Sequence, residues 1–148
     1  MKTAIVNIGP ILSGDWHAPS VAVLSTHSAW LLSSLVLGCH GLLSGSGSVI
    51  ADLQARLFRA VQANDLATAR KPSDRIWPTA EVFYTEPWVD MHNRMKEALV
   101  LLGRLRRAVV RPPLMKLSAA EIERIRQALV AAGLPADTAV AKKQASLV

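Results

Sequence analysis

His27 follows directly on a strand-like run in LSTH, which places an imidazole beside the Thr26 hydroxyl. At the carboxyl end of a parallel strand, where α/β sheets bind their ligands, the two could meet a ligand. The same residues with Ser28 also suit a helix cap, because short side-chain oxygens satisfy the free amides of a first turn. One arrangement can do both, and both readings stand. Further on, Ser44 to Ser48 read SGSGS. Successive backbone amides at a helix start would cradle a carboxylate or another anion. The segment lacks the GxxxxGK[ST] lysine and the GxGxxG spacing, so as a nucleotide motif it is weak.

The other reactive residues read as structural. His17, His40 and His92 have no partners at metal-ligand spacing, and His40 stands at a helix end, so no metal and no cofactor are expected. Asp90 with Glu97, and Glu121 with Glu123, are carboxylate pairs on amphipathic helices, where a solvated face or a salt bridge is the ordinary reading. Tyr84 is the only tyrosine, and nothing in the sequence pattern supports a general acid role for it. Cys39 is the single cysteine, which rules out an internal disulfide and, in an apolar helix, reads as a small buried hydrophobe. A reducing, cytoplasmic setting follows.

The elements that must position these residues come from pattern. Residues 21–49 read as strand, helix to Cys39, strand, and a small-residue turn into another helix, a βαβ unit too apolar to stand without neighbours. Val49, Leu53, Leu57, Ala60 and Val61 form the stripe of the next helix. Asn64 and Asp65 start another, expected to break at Pro72 and restart at Ser73, with Ile76, Ala80 and Phe83 on its apolar face. After YTEPW, a helix over 89–105 puts Met91, Met95, Ala98, Leu99 and Leu102 on one side and Arg94 and Glu97 on the other. RPPL at 111–114 is expected to be extended. Ser118 and Glu121 form an S-x-x-E capping box, Ile122, Ile125 and Leu129 follow as a stripe, and Gly133 with Pro135 stops the helix. A strand over 4–8 and a disordered tail from 135 complete the reading.

Composition sets bounds. A chain of 148 residues, 51% hydrophobic and 19% charged, can bury a core of its own. The net charge of +6 suggests nucleic acid, but only 5% of residues are aromatic and the arginines fall on solvated helix faces, so neither nucleic acid nor a membrane is an expected partner. The uncharged stretch at 21–43 is interrupted by Ser, His and Gly and reads as buried βαβ. No targeting segment is read at Lys2 onward.

VAVLSTHSAWLLSSLVLGCHGLLSGSGSVIADLQARLFRAVQANDLATAR, WVDMHNRMKEALVLLGRL and RPPLMKLSAAEIERIRQALVAAGL, taken in order, resemble the C-terminal half of the dihydrodipicolinate synthase and N-acetylneuraminate lyase family over residues 21–134. The resemblance implies an α/β fold, mostly helical by content: the last two strands of a (β/α)8 TIM barrel at 21–63, then a helical extension at 64–134. WVDMHNRMKEAL stands where many members have an N-P-x-P-x-K-like segment. Residues 1–20 are left unmatched; AIVNIGPILSGD is similar instead to the opening strand of amidohydrolase-type proteins, without their metal-binding histidines, and a truncation or fusion near Ser20 would explain the join.

Members of the family are class I aldolases, lyases of carbon–carbon or carbon–oxygen bonds. They form a Schiff base between a strand-six lysine and a pyruvate-like 2-oxo acid, with a strand-five tyrosine and a strand-two hydroxyl loop. Lys2 lies about the right distance before Ser25, but such a lysine needs a strand of its own and nothing precedes Lys2 except Met1. No catalytic residue is therefore expected. Carried over are only the pocket-lining positions Ser25, Thr26, His27, Leu43 and Ser44. The expected protein is a truncated lyase, inactive alone, whose open strands need a homo-oligomer or covering chain. A helical interaction module, and a lyase active only when complemented by another chain, are the alternatives.

Overall fold

A computed structural model describes the backbone of Lys2 and Thr3 and residues 22–136. The expected strand over 4–8 and the tail after 136 lie outside the described residues. The chain divides into two compact units, residues 1–77 and 78–148.

The first unit is built on a parallel sheet of three short strands, β1 (Lys2–Thr3), β2 (Leu24–Ser25) and β3 (Gly41–Leu42), in the order β1-β2-β3. Besides the run at 4–8, two strands were expected here, and Lys2 was expected to have none. Instead Lys2 pairs with Leu24 and Thr3 with Ser25, while Leu24 pairs with Gly41 and Ser25 with Leu42. Lys2, Leu24 and Gly41 thus form one row across the sheet. The tight β2–β3 approach selects glycine: a Cβ on Gly41 would come within 3.1 Å of Leu24 Cδ2.

Between β2 and β3 the chain makes a 3-10 turn at Ser28–Trp30 and then helix α1 (Leu31–Val36). The helix ends earlier than its apolar run suggests. Gly38 adopts φ 100°, its amide bonds Leu35 O at 3.0 Å, and the Cys39 amide bonds Ser34 O at 3.0 Å, which closes a Schellman motif. Cys39 therefore lies outside the helix, folded back and buried, with burial pushing its thiol pKa up. Helix α2 (Gly47–Gln62) buries Val49, Ile50, Leu53, Leu57 and Ala60, as its spacing requires.

Helix α3 (Leu66–Phe83) corrects the expected break: it runs unbroken through Pro72 and Pro78. An interior proline costs about 3 kcal/mol through its missing amide and its ring clash. Here Ala69, Pro72, Ile76, Ala80 and Phe83 stay on one buried stripe across it. Burial of Ile76 and Phe83, at roughly 1.5–3 kcal/mol each, offsets the loss.

In the second unit, α4 (Met91–Leu101) packs on α5 (Ala119–Ala131). The capping box forms as read, with Glu121 N to Ser118 Oγ at 3.2 Å and Ser118 N to Glu121 Oε2 at 3.4 Å. Gly133, at φ 67°, ends α5. Two expectations fail. Residues 111–114 form a turn closed by Leu114 N to Arg111 O at 3.1 Å, since fixed proline φ values suit a turn as well as extended chain. Arg94 and Glu97, expected on a solvated face, are exposed by only 1% and 2%. Arg94 turns inward to donate to Thr85 O at 2.7 Å and to Glu86 O and Pro87 O at 3.2 Å each, tying down the turn before the helix. Its nearest carboxylate is Glu121, at 3.7 Å.

Candidate functional site

The carboxyl ends of β2 and β3 bring together the residues singled out in the sequence. Strand alternation puts Leu24 and Thr26 on one face and Ser25 on the other. Ser25 is 2% exposed, so it lies on the packed side, whereas Leu43 is 52% exposed. The open face of the sheet thus carries Leu24, Thr26 and Leu43, and Lys2 stands in the same row as Leu24.

His27 caps the turn that follows β2: its Nδ1 accepts from Ala29 N at 3.2 Å, and its ring stands 6.2 Å from that of Trp30. An accepting Nδ1 requires the ring proton on Nε2 in the neutral imidazole. Partial burial lowers the His27 pKa and favours that neutral form. The capping role is therefore formed in the structure. His40 is also occupied, but by the sheet: its Nδ1 accepts from Val23 N at 3.1 Å and its own amide donates to Val23 O at 2.9 Å.

The SGSGS segment folds into a hydroxyl network rather than an open ring of amides. Ser46, with no exposed surface, meets Ser28 Oγ in a short contact and Ser44 Oγ at 2.9 Å. Gln54 Nε2 donates to Ser46 Oγ at 2.9 Å, reaching across from the second turn of α2. Gly47 leaves room for that carboxamide, since a Cβ there would stand 3.1 Å from Gln54 Oε1. The network ties the loop after β3 to the turn after β2, which fixes Ser44 and Leu43 relative to Thr26 and His27. Ser28, Ser46 and Gln54 were not singled out as site residues; the alternating serines were the only hint, and a glutamine one helical face away carries no mark in sequence. Among the described residues, no group of His, Cys, Asp or Glu could hold a metal ion.

The arrangement is a fixed, partly apolar floor with hydroxyls at its edge, open on the side of Leu43. Such a floor can orient a small substrate but holds no described acid or base aimed across it. A profile of the Dihydrodipicolinate synthetase family matches residues 12–132. The chain belongs to this family. The match takes in residues 12–20, which the sequence alone left unmatched. The 4-hydroxy-tetrahydrodipicolinate synthase of Rhodopseudomonas palustris (strain BisA53) is 35% identical over 136 residues, 90% of this chain and 44% of the relative. The enzyme of that name from Neisseria gonorrhoeae is 31% identical over 134 residues, again 90% of this chain and 45% of the relative.

Solved family structures share the fold. Dihydrodipicolinate synthase from Aquifex aeolicus superposes with a TM-score of 0.77 at 24% identity, over 93% of this chain and 46% of that one. A prophage protein of the family from E. coli K12, solved in complex with pyruvate, does so with a TM-score of 0.77 over 90% of this chain and 45% of that one. The chain spans less than half the length of these relatives, so its fold is a part of the family's TIM barrel.

Proposed function

We propose that these 148 residues are the C-terminal part of a Schiff-base, pyruvate-type lyase, that they do not complete the reaction alone, and that a second chain supplying the remaining strands restores it. The observation that carries the reading is the parallel order β1-β2-β3, with Lys2 level with Leu24. A lysine on the strand next to β2 is what the family chemistry requires of strand six, and we assign Lys2 that role.

Thr26, His27, Leu43 and Ser44 line the pocket beside it, and Ser25 supports the strand end from the packed side. What the part lacks is enclosure: a Schiff base at neutral pH needs an amine held desolvated against the carbonyl. The three short strands do not supply that enclosure by themselves. The covering chain closes the site and brings the tyrosine that relays protons.

Exchange of the pyruvate methyl protons in D2O, followed by NMR, tests this without a second substrate, because the enamine formed from the Schiff base exchanges them. Three samples are compared: the chain, the part of the Rhodopseudomonas palustris relative that it does not match, and both together. Accelerated exchange is expected only in the mixture. Exchange by the chain alone, or none by a mixture whose parts co-elute, would refute the proposal.

A further inference from the structure

Helices α2 and α3 enclose a groove of about 580 Å³ within the first unit, away from the strand ends. Its lining follows one rule on each helix. On α2 it takes Leu53, Arg56 and Ala60 with Arg59, and on α3 Thr68, Lys71, Pro72 and Arg75, steps of three and four residues that keep each set on one face. Leu53, Ala60 and Pro72 are buried and make the floor, while Arg56, Arg59 and Lys71 are exposed at the rim and Arg75 is half-buried.

Four cations and no carboxylate line the groove, with Asp65 acting on Lys71 from outside the lining. Arg56 and Arg59, both exposed on α2, stand at a helical spacing where like charges repel, so an anion placed between them and Lys71 relieves that repulsion. The volume is that of a small-molecule site, with an apolar floor and a few polar groups at its edge. A bare inorganic anion would leave that floor wet. A nucleic-acid strand would want aromatic platforms, and the lining has none.

We propose that this groove binds a small organic anion with an aliphatic body and a phosphate or carboxylate head. The body lies on Leu53, Ala60 and Pro72, and the head is held between the α2 arginines and Lys71. Guanidinium forks meet such a head bidentately, and the ammonium adds a point charge. The groove lining begins at Leu53, beyond the kink at Ile50, and shares no residue with the Ser28–Ser46–Gln54 network, so this ligand occupies a site distinct from the one at the strand ends.

Isothermal titration of the full chain with octyl phosphate, below its micelle concentration, tests the proposal, with inorganic phosphate and 1-octanol as partial ligands. One-to-one binding of octyl phosphate is expected, at least tenfold tighter than either partial ligand and weakened by added salt. R59Q/K71Q, both surface changes checked by circular dichroism, should weaken it at least tenfold, and R107Q should leave it unchanged. Equal binding of octanol, or binding untouched by R59Q/K71Q, would overturn the site. Co-sedimentation with phosphatidate vesicles without binding of free octyl phosphate would overturn it too, by assigning the cations to a membrane surface.

Discussion

At the scale of single residues, His27 and Glu97 stand at opposite ends of what sequence can reveal. The capping role of His27 was legible, because Ser-Thr-His-Ser after an apolar run is a helix-start pattern whatever lies around it. Replacing His27 with alanine removes the acceptor for Ala29 N and should cost about 1 kcal/mol in urea unfolding at pH 7.5. Its pKa is lowered from 6.5 in the folded chain, so the unfolded chain takes up the proton first. The stability tied to neutral His27 is full above pH 6.5 and falls as pH drops through the folded value. His27→Asn, which keeps an acceptor and cannot titrate, should lack that fall; an identical pH profile in the two proteins would contradict it.

Glu97 was read as solvated, because a charge three residues from Arg94 on an amphipathic helix usually is. Only the turn at 85–87, which draws Arg94 inward, and the packing of α5 against α4 reverse that. Burial raises the Glu97 pKa from 4.5, while nearby Lys116 lowers it in part, and Oε2 is left without a hydrogen bond. A raised carboxyl pKa favours the fold below pH 4.5 and that contribution is lost as pH rises through the folded value. The gain in stability of Glu97→Gln over the wild type should therefore grow from pH 4.5 towards pH 7 in parallel urea titrations. A pH-independent difference would show that the carboxyl is not desolvated.

At the scale of elements, local signals read true where they are closed within a few residues. The Ser118–Glu121 box and Gly133 mark α5 because each cap is satisfied by its own turn. Ser118→Ala should lower stability by about 1 kcal/mol, seen as a shift in urea midpoint at unchanged slope. No shift would mean that the box adds nothing beyond the packing of Ile125 and Leu129. Pro72 shows the opposite case. A proline ends a helix when nothing else holds the next turn, and here Ile76, Ala80 and Phe83 hold it through tertiary burial that no local window contains. β1 was missed for a related reason: two residues make no periodicity, and Lys2–Thr3 becomes a strand only by pairing with Leu24 and Ser25.

At the scale of the whole molecule, the order of motifs was more informative than any one of them. Strand, helix, strand and helical extension identify the family because barrel topology constrains the chain everywhere at once, whereas a serine triplet or a lone lysine fits many folds. The Ser28–Ser46–Gln54 network stayed hidden, since its members are joined only when β2 and β3 lie side by side. The proposed role of Lys2 as the amine of an incomplete lyase belongs to this scale. Its most direct test is borohydride reduction with pyruvate, followed by peptide mass mapping, of the chain alone and mixed with the missing part of a relative. One pyruvate adduct is expected, on Lys2, in the mixture and none in the chain alone. An adduct at another residue with Lys2 unmodified, or an equal adduct without the second part, would contradict it.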